Sequence, residues 1–128
     1  MKAHLQKLIG VAVLGLALFS GSITVWAGQV SLPKVMIGAG FANGSMVGAR
    51  SSADSNQYIG CSFENRYGPS VWCSAQDATG KYFLCMKNDA RWATTVKAIT
   101  DYSYISLSGR GDGSCDYLTI ENSSSHIK

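Results

Sequence analysis

The sequence predicts an α+β, mainly β domain: an antiparallel meander of about five strands, with one helix between the third and fourth and two disulfides. Three observations carry this reading. Cys61, Cys73 and Cys85 recur every 12 residues, each inside a short segment rich in aromatic and β-branched side chains. Turn-forming residues separate those segments. A stretch of helical periodicity and two further strand-like runs complete the chain. With 128 residues there is room for one small domain beyond a leader, and a multi-domain enzyme is excluded.

The amino terminus reads as a sorting signal over residues 1–27. Lys2 and Lys7 give a short positive region, and Leu8 to Phe19 is an unbroken apolar run. Ser20-Gly21-Ser22 ends the run, and Val25 and Ala27 stand at the −3 and −1 positions of a cleavage site before Gly28. The run is shorter than the roughly 20 residues that span a bilayer, so no membrane span is expected after cleavage. The expected location is therefore outside the cell or in the periplasm of a bacterium.

Residues 28–56 form a Gly-, Ser- and Ala-rich stretch, read as a leader or an edge strand that could also pair with a neighbouring molecule. Residues 57–128 form the β domain. Its first three strands centre on Gln57–Glu64, Ser70–Asp77 and Lys81–Lys87. A three-residue loop at 78–80, with Gly80 free to adopt positive φ, pairs Asp77 with Lys81 and hence Cys73 with Cys85. The loop at 65–69 pairs Glu64 with Ser70 and hence Cys61 with Cys73. The cysteines then share one face with Ile59, Phe63, Val71, Ala75 and Phe83.

Four cysteines in an exported chain of this size point to two disulfides. In the register above Cys61 and Cys85 lie two strands apart, roughly 10 Å, too far for a bridge. The favoured pairing is Cys61–Cys73 with Cys85–Cys115; the second is Cys73–Cys85 with Cys61–Cys115. No CxxC knuckle is present, so no metal site is expected.

After the third strand Asn88 or Asp89 can cap a helix, and Trp92, Val96 and Ile99 follow at i, i+4 and i+7. Ser103–Leu107 and Cys115–Glu121 read as a final hairpin closed by Gly109-Arg-Gly-Asp-Gly113. In element order this resembles a small OB-like barrel; an open antiparallel sheet with a helix packed on it gives the same order.

Charge and chemistry narrow the function classes. Without Lys2 and Lys7 the chain carries nine basic against eight acidic residues, so the basic footprint of a nucleic-acid binder is missing. The only histidine after the leader, His126, stands near the end, where chains fray, so no base is expected for a serine or cysteine nucleophile. Glu64, Asp77 and Glu121 are the carboxylates available to a small hydrolase. No catalytic residue and no cofactor is assigned.

The outward face of the meander is the main binding candidate. Tyr58, Gln76 and Tyr82 form one row there, and Ser62, Trp72 and Met86 form another. Rigidly held aromatics beside polar groups suit sugar or peptide surfaces. The competing expectation, and the favoured one, is that Trp92, Val96 and Ile99 of the helix cover this face. The hairpin loop supplies a second candidate in Arg110 and Asp112, although Arg-Gly-Asp is also ordinary turn chemistry. The function expected is an exported, non-enzymatic binding module, inhibitor-like, lectin-like or envelope-accessory, with a protein or glycan partner. The alternatives are a structural subunit that self-associates through its leader or sheet edge, and a carboxylate-based hydrolase.

Overall fold

The computed structural model describes residues 31–126. The expected signal peptide and its cleavage point lie outside the described residues. In chain order the elements are β1 (Met36–Ile37), β2 (Phe41–Ser45), α1 (Met46–Arg50), β3 (Tyr58–Glu64), β4 (Ser70–Gln76) and β5 (Tyr82–Lys87). They continue with α2 (Ala90–Val96), β6 (Ser103–Gly109), β7 (Cys115–Asn122) and a closing 3₁₀ turn (Ser124–His126).

The strands form two antiparallel sheets, one ordered β1-β2-β6-β7 and the other β3-β4-β5. This corrects the single five-strand meander. The helix does stand between the third meander strand and the final hairpin, but that hairpin does not extend the meander's sheet. It pairs instead with β2, from Phe41↔Ser108 through Ser45↔Tyr104. The reason is steric. Ala42 and Gly44 present almost no side chain toward the interior, and Val35 closes over Gly44, where an added Cβ would stand 2.9 Å from the Val35 backbone. A strand of such small residues fits between β1 and β6 and buries their backbone in a ladder.

The meander has the register that its turn lengths require. Cys61 pairs with Cys73, Cys73 with Cys85, and Glu64 with Ser70. Gly80 closes the β4–β5 turn at φ 84°, while the Asp77 carboxylate accepts from the Thr79 and Lys81 N–H groups at 2.9 and 3.0 Å. The disulfides are Cys61–Cys73 and Cys85–Cys115.

The core lies between the sheets. Ala42, Ile105 and Leu107 come from one side and Ile59, Val71, Cys73, Ala75 and Cys85 from the other. Cys85–Cys115 ties the sheets covalently, and the Met86 N–H donates to the Gly113 carbonyl at 2.9 Å beside it. Helix α2 is capped by Asp89, whose carboxylate accepts from Arg91 N at 2.7 Å and Trp92 N at 3.3 Å. Its Ala93 and Val96 enter the same core, with Trp92 and Ile99 against it, and the Lys97 ammonium sits 5.1 Å from the inward-facing Phe63 ring. The helix therefore packs on the inner face of the meander. That overturns the expectation that it covers the aromatic face. Val71, Cys73 and Ala75 give it a continuous apolar surface, whereas the outward side of β4 sets Trp72 among the polar Ser70, Ser74 and Gln76.

His126 is also not frayed. It is 5% exposed, stacks on Tyr104 at 5.7 Å between ring centres, and places Nδ1 3.0 Å from the Ser31 carbonyl. The Ser31 N–H donates to Ser125 O at 2.7 Å, so the first and last described residues clasp each other.

Candidate functional site

Period-two alternation sets the site's geometry. Along β3, β4 and β5 the odd-numbered side chains point into the core and the even-numbered ones point out. The outward rows are Tyr58–Gln76–Tyr82, Gly60–Ser74–Leu84, Ser62–Trp72–Met86 and Glu64–Ser70. With α2 on the other side, these residues remain open. Tyr58, Tyr82, Leu84 and Met86 are 41%, 52%, 50% and 45% exposed.

The two predicted aromatic positions occupy different ends of this face. Tyr58 and Tyr82 meet across the sheet with ring centres 6.4 Å apart and planes tilted by 54°. Partial burial, followed by the adjacent Tyr82 hydroxyl, pushes the Tyr58 phenol above its ordinary value of 10.0. Gln76 stands in the same row. Trp72 is four residues back along β4, roughly 13 Å away at strand rise, so it is not part of that cluster. Leu84 and Ser74 lie between the two.

Trp72 instead lines an open cleft of about 350 Å³ at the end of the sheet, together with Glu64, Tyr67, Pro69, Ser70 and Asn88. Three choices in the chain build it. Gly68, at φ 111°, lets the β3–β4 turn swing back sharply, which leaves Tyr67 standing out at 89% exposure. Pro69 restarts the strand with a fixed φ. Asp89 takes the cap of α2, so Asn88 is left as a free rim residue. Glu64 was singled out in the sequence only as a potential catalytic carboxylate. Tyr67 and Asn88 were read as turn and cap positions, and their spacing to Trp72 carries no linear signal.

The hairpin loop borders this face without facing it. Arg110 forks onto the Asp116 carboxylate with Nε at 3.1 Å and Nη2 at 2.6 Å. Asp112 accepts from Ser114 N at 2.9 Å and Ser114 Oγ at 2.6 Å. Both side chains are thus engaged in holding their own turn, and the Asp112 carboxyl is held below its ordinary 3.8, first by the Ser114 hydroxyl and then by its N–H. Among the described residues no three His, Cys, Asp or Glu side chains converge as metal ligands.

No family model, curated protein or solved structure matches this chain.

Proposed function

We propose that the protein is an exported binding module that seats a segment of a partner protein on the outward face of β3, β4 and β5. One observation carries the reading: on a disulfide-held sheet, Tyr58, Tyr82, Leu84 and Met86 stay about half exposed as one surface, with no element of the described residues laid over them. Exposed apolar groups gathered on one rigid face mark interaction sites more often than scattered ones do. The aliphatic pair Leu84 and Met86 favours a protein over a glycan, because neither offers a sugar ring a flat stacking surface or a hydrogen bond. Ser62, Ser74 and Gln76 supply the polar groups that fix a partner's orientation. The two disulfides, with no free cysteine, fit an extracellular protein.

The test is a display selection of random extended peptides against the mature chain. Enriched peptides should lose at least tenfold in affinity to a Tyr82→Ser/Leu84→Ser variant whose melting temperature is unchanged. Binding that ignores these substitutions overturns the assignment. So does a dimer in sedimentation that the same variant dissolves, since the face would then serve self-association. Capture of a glycan through Trp72, with no peptide enriched, would replace the protein partner by a sugar.

A further inference from the structure

The cleft at the end of the face has a charge pattern of its own. Several cations at this end of the molecule lie beside an aromatic ring or a carboxylate. The Lys87 ammonium lies 5.9 Å from the Trp92 ring, Lys97 lies over Phe63, and Arg91 reaches Asp89 at 3.7 Å. The Arg66 guanidinium sits 5.4 Å from the centre of the Tyr67 ring. Glu64, in contrast, is half-buried and its carboxylate has no ion-pair or hydrogen-bond partner among the described residues. Among the described residues it is the one charged side chain lining the cleft, and it sits there with the rings of Trp72 and Tyr67.

We infer that this cleft receives an arginine side chain of the bound segment, its guanidinium stacked on Trp72 and paired with the Glu64 carboxylate. A partly buried carboxylate without a partner favours an arriving cation. Aromatic faces attract cations through their quadrupole, and tryptophan does so best. Arginine fits better than lysine because its guanidinium is planar, weakly hydrated and able to stack while forking onto a carboxylate. Arg66 over Tyr67 is the same contact made within the chain. Ser70 and Asn88 also line the cleft, and a hydroxyl and an amide carbonyl are the kinds of acceptor the remaining guanidinium protons require. The inference deepens the reading above and rests on it for the identity of the partner as a protein.

The mature chain carrying Trp92→Phe makes Trp72 the only reporter. Its fluorescence should change saturably on titration with N-acetylarginine amide, less with the lysine analogue, and not with the neutral citrulline analogue. Glu64→Gln should weaken the arginine response at least fivefold, Glu64→Asp should restore part of it, and added salt should reduce it. An equal response to citrulline, or a Glu64→Gln variant that responds as the parent does, overturns the cation site.

The peptide selection separates the two proposals. Face-dependent peptides with no basic preference and no sensitivity to Glu64→Gln would remove the arginine site and leave the binding face standing. A charge-selective arginine response without any face-dependent peptide would keep the site and remove the protein-binding reading.

Discussion

Gly48 marks the point where the segment Leu32–Pro33 crosses α1. A Cβ there would stand 2.5 Å from the Pro33 carbonyl oxygen and 2.9 Å from that of Leu32. Both obstacles are backbone, so they cannot rotate away, and Gly48→Ala should cost about 2 kcal/mol in urea denaturation. Ser45 acts in the same place from the other side. It is fully buried, its Oγ accepts from the Gly48 N–H at 2.8 Å as the cap of α1, and its own N–H donates to Pro33 O at 3.0 Å. Ser45→Ala should lose about 1–2 kcal/mol by the same measurement. Asp54 works through a relay. Its carboxylate accepts from Asn56 N at 2.9 Å and from the Gln57 amide group, while Gln57 Oε1 accepts from the buried Val35 N–H at 2.8 Å. One half-buried carboxylate thereby orients the side chain that satisfies a core backbone donor. Asp54→Asn should lower the melting temperature at pH 7 more than Asp101→Asn, which removes only an exposed ion pair with Arg50.

At the scale of elements the two disulfides do different work. Cys61–Cys73 joins neighbouring strands across 12 residues, whereas Cys85–Cys115 joins the two sheets across 30. Loop-closure entropy alone puts the first at about 2.8 kcal/mol and the second at about 3.6 kcal/mol. The gap should widen in practice, because few other points join β5 to the final hairpin: at Gly109 of β6 an added Cβ would stand 3.2 Å from Cys85 Cβ, and one backbone bond runs from Met86 to Gly113 of the loop. A Cys85→Ala/Cys115→Ala variant should therefore unfold at lower urea than Cys61→Ala/Cys73→Ala. Equal midpoints would show that the sheets are held together by packing alone. Helix α2 shows why its apolar positions did not reveal their target. Thr94 and Thr95 bond back to Ala90 O and Arg91 O at 3.1 and 3.0 Å, a pattern typical of a short helix sustained by its docking surface. Periodicity names the face of the helix that is buried but not the surface that buries it.

For the whole molecule, acid stability follows from Asp54, Asp77, Asp89 and Asp112. All four carboxyls are held below the ordinary 3.8 by hydrogen bonds to loop and cap groups: first the Asn56 N–H for Asp54, the Thr79 hydroxyl for Asp77, the Arg91 N–H for Asp89 and the Ser114 hydroxyl for Asp112. A carboxyl whose folded value is depressed binds fewer protons in the native state. Its contribution is present above 3.8 and fades as pH falls through the lower folded values. The part of the stability that these four carboxyls supply should accordingly be lost as pH falls below 3.8. A double Asp77→Asn/Asp112→Asn variant should lose less on acidification than the parent. At the alkaline end Tyr58 has the opposite sign. Its raised phenol favours the folded state below 10.0, and that contribution is lost as pH climbs through the folded value. Tyr58→Phe should remove that alkaline step in the melting temperature.

The meander, its register and the outward placement of Tyr58, Trp72, Gln76 and Tyr82 were legible in the sequence, because each depends on neighbours in the chain. Strand alternation has a period of two, turn length sets which residues face each other, and the spacing of the cysteines then leaves few ways to bridge them. The partition into two sheets was not legible. β2 reads Phe-Ala-Asn-Gly-Ser, residues of low strand propensity apart from the first, and it is a strand only because β6 arrives to pair with it from the far end of the chain. The cleft shares that origin. Tyr67, Trp72 and Asn88 come from a turn, a strand and a pre-helical residue, and with α2 docked on the inner face the half-buried Trp72 lines the cleft and Asn88 stands at its rim. Local pattern determined which side chains point the same way; long-range packing, which the linear chain does not display, decided which of them stay uncovered.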